Sequence, residues 1–196
     1  MGPNPAPRTL PKILTPDQLE ALLARPNIGC PTGLRNRAIL ELLAGAGLRA
    51  SEACGVYLRD IDWKRSELKI RAEVGKGGRE AVLPLDERTF SWLERWKPTR
   101  RHHAAGAPWL FCTLRGGQLD RRYIWSMTAR YARKAGIEDP VFPHRLRHTC
   151  ATELLRDGFD LREVQQLLRH ADVRTTVIYT YVSPQALAEK VSRRRR

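Results

Sequence analysis

Apolar positions recur along this chain every three or four residues over most of its length, the period of helices with one buried face. The first start signal is Thr15, Pro16 and Gln18: a side-chain cap, proline at the first helical position and a glutamine that closes a capping box. Leu19, Leu22 and Leu23 then form the apolar stripe. A second helix is expected over about Leu34 to Ala46, with Ile39, Leu42, Leu43 and Ala46 inward and Gly47 closing it. Ser51 reads as the cap of a short helix from about Glu52. Further helical patterns cover Asp86 to about Trp96, Asp120 to Lys134 with Gly136 as the stop, and about His144 to Asp157. Leu161 to Arg169 follows, with Asp160 and Glu163 as a capping pair. Val173 to Val182 is read as helical despite its β-branched content, and a last short helix starts at Ser183-Pro184.

The period changes once. Leu68 and Ile70 alternate with charged residues, Gly75-Lys76-Gly77-Gly78 turns the chain, and Val82 to Leu85 runs back. This predicts a β-hairpin with a lysine at its tip. The expected fold class is therefore mainly α with a small antiparallel β-sheet (α+β). Residues 1–12, with four prolines, read as a linker or N-terminal tail, 13–183 as the main domain, and 184–196 as a C-terminal helix with a basic tail. No internal repeat is visible.

Composition changes the picture through charge. Lys and Arg outnumber Asp and Glu by 35 to 21, a net +14 that points to a polyanionic partner, with nucleic acid first. No long basic amphipathic helix suggests a membrane-surface protein, and no apolar run reaches the roughly 20 residues of a membrane span. No signal-peptide run is visible, and Cys30, Cys54, Cys112 and Cys150 are widely spaced, which together predict reduced thiols in a cytoplasmic protein. A zinc site from Cys112, Cys150 and His102, His103 or His148 fits no known ligand spacing, so no metal is expected and the cysteines read as small apolar fillers.

Four segments gather basic and nucleophilic groups. Arg49 lies between a helix-ending glycine and the next cap, where its planar guanidinium can hold two phosphate oxygens, with Glu52 near enough to orient it. An exposed arginine at a helix junction explains it equally well. Lys76, between glycines at the hairpin tip, can reach a DNA groove and donate a proton; a solvated turn lysine is the plainer reading. His144 and Arg147 are three apart at a helix start and project from one face, so an imidazole and a guanidinium can meet one phosphate. His148 shares that face but reads as buried or structural, and Arg145 as a DNA-backbone contact or a solvated side chain. His170 ends an apolar helix, where a histidine commonly serves the helix dipole. Tyr179 and Tyr181 are both available as nucleophiles, and a phenol needs a cationic cluster to attack phosphorus.

The order of these motifs resembles the catalytic domain of the tyrosine recombinases: phage integrases, Xer-type dimer resolvases, integron integrases and Cre-like enzymes. The resemblance runs from about Ile13 to about Val191. It rests on Ala46-Gly47-Leu48-Arg49 with Ser51-Glu52, on Gly75-Lys76-Gly77, and on the box His144 to Arg147. Leu167-Leu168-Arg169-His170 and Thr175-Thr176-Val177-Ile178-Tyr179 complete it. It implies that Arg49 and Arg147 bind the scissile phosphate and that Tyr179, rather than Tyr181, attacks it to form a 3′-phosphotyrosyl bond. Lys76 would protonate the leaving 5′ oxygen, His144 would assist proton transfer at the nucleophile, and His170 would hydrogen-bond the phosphate.

The resemblance further implies double-stranded DNA as partner, a homo-tetramer on synapsed sites with a monomer or weak oligomer without DNA, a nucleoid-associated location, and no cofactor. In that assembly Pro184 to Val191 would dock on a neighbour through Leu187 and Val191, with folding back on the same subunit as the alternative. Most such recombinases carry a further N-terminal helical domain that clamps DNA. The match leaves open an excised catalytic domain or a single-domain enzyme like the fimbrial-switch inverting recombinases; if the clamp is missing, DNA affinity and sequence selectivity should be weakened. The rival readings are a non-catalytic DNA-binding regulator, with His144 to Arg169 as a helix-turn-helix pair, and a type IB topoisomerase.

Overall fold

The computed structural model describes residues 13–73, 80–169, 188 and 190–192. Helices α1 (Pro16–Leu23), α2 (Pro31–Gly45) and α3 (Ala50–Gly55) come first, then a 3₁₀ turn (Leu58–Asp60). Strands β1 (Ile61–Asp62), β2 (Glu67–Ile70) and β3 (Ala81–Pro84) follow, then helices α4 (Glu87–His103), α5 (Arg121–Lys134), α6 (Pro143–Arg156) and α7 (Leu161–Leu168). The architecture is mainly α with one small antiparallel sheet, as the periodicity predicts.

The caps explain most of the boundaries. The Gln18 N–H donates to Thr15 Oγ1 at 3.2 Å and the Thr15 N–H to Gln18 Oε1 at 3.1 Å, starting α1 where the sequence signal lies. Asp160 Oδ1 accepts from the Arg162 and Glu163 N–H groups, and Glu163 Oε2 accepts from the Asp160 N–H, which closes the first turn of α7. Three expectations need correction. Helix α2 begins at Pro31, not near Leu34. The cap of α3 is Arg49, not Ser51, because the Glu52 carboxylate three residues on supplies the acceptor. Helix α4 continues past Trp96 and through Pro98 to His103. Its last turns are pinned from outside: Trp96 Nε1 donates to Leu110 O and Arg100 Nε to Trp109 O.

The sheet has the order β1-β2-β3, with Leu68 opposite both Ile61 and Leu83. Leu68, Ile70 and Leu83 are buried and Val82 is exposed, the alternation of a half-covered sheet. Strand β1 is an addition to the two-stranded hairpin that the sequence suggests. The hairpin tip, residues 74–79 with Lys76, lies outside the described residues.

Helix α2 runs through the centre. Ile39, Leu42 and Leu43 are wholly buried, but so is Glu41, and Arg35 and Asn36 nearly so. Buried polar groups need partners. Arg35 donates to Cys112 O and to the Tyr123 hydroxyl, Asn36 Nδ2 to Tyr131 Oη, and Glu41 accepts from Arg37 and Arg88. Close approach of α4 requires Gly45, since a Cβ there would lie 2.0 Å from Thr89 Oγ1. A second, smaller core joins α6 to α7 through Cys150, Leu154, Phe159, Val164, Leu167 and Leu168. Val191 completes that core, and Lys190 Nζ pairs with both Glu163 oxygens at 2.7 and 2.8 Å. The end of the chain that is described therefore folds back on its own subunit; Leu187 lies outside the described residues. No described helix is long and apolar enough to cross a membrane.

Candidate active site

The turn between α2 and α3 is shaped by Gly47. Its φ of +60° favours glycine, and a Cβ would approach Leu168 Cδ2 to 2.3 Å. Buried Leu48 anchors the turn, and Arg49 follows in extended backbone with its side chain a quarter exposed. Glu52, wholly buried, takes three bonds from this region. Its Oε2 accepts from the Arg49 N–H at 2.8 Å, its Oε1 from Arg49 Nη1 at 2.7 Å, and Oε2 also from Arg169 Nη2 at 2.6 Å. Burial pushes the Glu52 carboxyl up, but the Arg169 charge and the bonds from Arg49 and Arg169 outweigh it and hold it below the ordinary carboxylate value.

Helix α6 brings in Arg147. Leu146 and Cys150 fix the helix in the cores, so Arg147 is carried inward and only 4% exposed. Its Nη1 donates to Gly47 O at 2.5 Å and its Nη2 to Leu168 O. Arg49 Nη2 reaches Arg169 O at 3.4 Å. Both arginines thus lean on carbonyls at the C-terminal end of α7, which a helix leaves without internal partners. Arg169 ends that helix in the left-handed region, with φ 53° and ψ 48°.

Arg49 and Arg169 therefore share one carboxylate, and Arg147 stands beside them bonded to the Gly47 and Leu168 carbonyls instead. The surplus positive charge is felt within the group. Burial, then Arg49 and Arg169, pull Arg147 down to about 10. Arg169 is also lowered, by burial first and in part by Arg49, against the pull of Glu52. Three guanidiniums beside one carboxylate leave the cluster with surplus positive charge.

One turn before Arg147, His144 is exposed on α6. Its Nε2 lies 3.0 Å from the Nε2 of His148, with ring planes 83° apart. His148 is half-buried beside it, so the expectation of a buried structural histidine gives way to a paired one. Burial, His144 and Arg147, in that order, lower the His148 pKa. The two histidines face an open groove with Trp125, Phe142, Asp139 and Arg145. Arg145 is neither solvated nor turned to a partner. It donates to Asp139 O, Pro140 O and Ile13 O, holding the entry of the chain against α6.

Of the six residues singled out from sequence, Arg49 and Arg147 meet at the C-terminal end of α7, while His144 lies exposed on α6 one turn before Arg147 and lines a groove of its own with His148. Lys76, His170 and Tyr179 lie outside the described residues. Sequence reasoning missed Arg169, because nothing in the pattern marks a non-glycine residue for a left-handed conformation. It placed His148 on the face of His144 from their spacing of four but read it as buried or structural, not as the partner of the His144 ring. Among the described residues no group of three or more His, Cys, Asp and Glu side chains is placed to hold a metal, and none of the four cysteines is in a disulfide.

The chain matches the phage integrase family over residues 12–186. A protein named tyrosine recombinase XerD from Xanthomonas campestris pv. campestris is 44% identical over 197 residues, covering 95% of this chain and 60% of the relative. A protein of the same name from Ralstonia nicotianae is 42% identical over 184 residues, covering 92% and 59%. The chain spans about 60% of the length of these relatives. Among solved structures, XerA recombinase is similar at a TM-score of 0.75 and 33% identity, over 92% of this chain and 64% of that one. XerH site-specific recombinase bound to difH substrate, in a pre-cleavage complex, is similar at 0.72 and 27%, over 84% and 48%.

Proposed function

This chain belongs to the phage integrase family, and on that premise we propose that it cuts and rejoins double-stranded DNA at specific sites, as the catalytic domain of a tyrosine recombinase. The observation that carries the reading is the convergence of Arg49 and Arg147 on the last carbonyls of α7, beside Arg169, with more guanidinium charge than Glu52 neutralises. Such a cluster offers a phosphodiester two forked donors and a field that favours the extra negative charge of the transition state.

In the proposed reaction the Tyr179 oxygen bonds to phosphorus while the P–O5′ bond breaks. Arg49 and Arg147 hold the non-bridging oxygens, and His170 adds a hydrogen bond to them. His144 takes the phenol proton, and Lys76 gives one to the leaving 5′ oxygen. The phosphotyrosyl ester keeps the energy of the phosphodiester, so a 5′-hydroxyl reverses the step and reseals a strand without ATP. Positive side chains supply the charge that phosphoryl transfer otherwise draws from metal ions, and no cofactor is needed. The working assembly is a homo-tetramer on two synapsed sites, in the cytoplasm at the nucleoid. Residues 13–183 form the catalytic domain.

The test is a nicked suicide duplex carrying a recognition sequence first selected from a random DNA pool by binding to this chain. The expected result is a protein–DNA adduct that survives SDS, forms in EDTA and is lost in Tyr179→Phe. No adduct, an adduct that persists in Tyr179→Phe, or one that requires a divalent cation overturns the reading.

A further inference from the structure

We propose that His148 is a positioning residue for His144, holding it in the tautomer whose Nδ1 exchanges a proton with the reacting tyrosine oxygen. The inference rests on the recombinase reading above and extends it to a residue to which that reaction gives no role.

Residues four apart on a helix lie on one face, and on α6 this spacing brings two imidazoles edge to face with ring centroids 4.4 Å apart. At 3.0 Å, the two Nε2 atoms share one hydrogen: one ring donates and the other accepts. Two imidazolium rings would point N–H at N–H, so the pair in this geometry holds one positive charge at most.

The surroundings decide where that charge resides. His148 is the more buried ring, and burial, His144 and Arg147 all disfavour its cation. Among the described residues, the other charged groups at the groove are Arg145, turned to the carbonyls of Asp139, Pro140 and Ile13, and the Asp139 carboxylate, 3.9 Å from Arg145. Helix α5 contributes Trp125, which is uncharged. His148 is therefore kept neutral, and in the proposed arrangement it accepts the Nε2–H of His144. A neutral His144 held this way has its acceptor at Nδ1, where a proton from a phenol can arrive. The resulting imidazolium keeps its bond to His148. A neighbour that fixes tautomer and orientation is how imidazole bases are commonly set.

The test compares His148→Ala with His148→Gln, whose amide oxygen can accept the same N–H. Imidazole ¹⁵N NMR of the whole chain without DNA is expected to show one dominant His144 tautomer, mixed tautomers in His148→Ala, and recovery in His148→Gln. With the suicide duplex, adduct formation in His148→Ala is expected to slow on the order of ten-fold, part of the 10²–10⁴ that a positioned proton-transfer group supplies. The acid limb of its pH profile moves to lower pH, because the His144 cation has lost its acceptor. His148→Gln restores both. An unchanged rate in His148→Ala, or a slower rate with unmoved pH limb and unmixed tautomers, overturns the proposal. If the unaltered protein forms no adduct, the recombinase reading fails while the NMR result still decides the histidine pair.

Discussion

Replacing Glu52 with glutamine removes the one negative charge from a cluster of three guanidiniums and leaves the volume unchanged. The amide oxygen still accepts one bond, but the amide nitrogen turns N–H groups toward the donors of Arg49 or Arg169, which lie 2.6–2.8 Å from the carboxylate oxygens. Breaking a buried ion pair by removing one partner costs about 3–5 kcal/mol. Arg49 is a quarter exposed, so water recovers part of that, and we expect about 2–4 kcal/mol. For a chain of this length that corresponds to a midpoint lowered by roughly 6–12 °C. The pH dependence has a definite sign. Glu52 has a folded-state pKa below its ordinary 4.5, so its contribution is complete above that value and is lost as the pH falls through the folded one. Urea unfolding of both proteins at pH 7 and at stepped acid pH should show a full gap at neutrality that closes below about pH 4.5. A gap under about 1 kcal/mol at neutrality, or one that does not vary with pH, would refute the argument.

Two more outcomes follow from the same geometry. Gly47→Ala forces a side chain into a positive-φ position and against Leu168, so we expect a loss of about 1–3 kcal/mol by chemical unfolding. Slower adduct formation should accompany it, since the Gly47 carbonyl no longer seats Arg147. In the native protein a thiol reagent should modify half-buried Cys30 quickly and the buried Cys54, Cys112 and Cys150 slowly, with all four reacting in denaturant. Burial, and to a lesser degree Asp120, push Cys54 up to about 12, which leaves almost no thiolate.

The elements whose boundaries rest on local chemistry were legible from sequence: the Thr15 and Asp160 caps and the alternation of Leu68 and Ile70 all appear in the structure. What escaped were features decided by distant partners. The run of α4 through Pro98 depends on Leu110 and Trp109 carbonyls accepting from Trp96 and Arg100, and the pairing of β1 depends on β2. The same division holds at the site. Arg49, Glu52 and the His144–Arg147 spacing can be read from the chain, because three or four residues on a helix settle a shared face. The role of Arg169 cannot, because its strained backbone is held by a carboxylate far away in sequence. Arg145 misleads for a related reason: a cation in a basic stretch looks ready for phosphate, yet it binds backbone carbonyls of its own chain.

The seating of Arg147 and Arg49 on the carbonyls of Leu168 and Arg169 makes those oxygens competitors of any incoming anion. A guanidinium drawn outward gives up its hold on the last turn of α7. Grip on a ligand and slack in that helix end are then two sides of one exchange, and whatever tightens the first is transmitted along the backbone as the second.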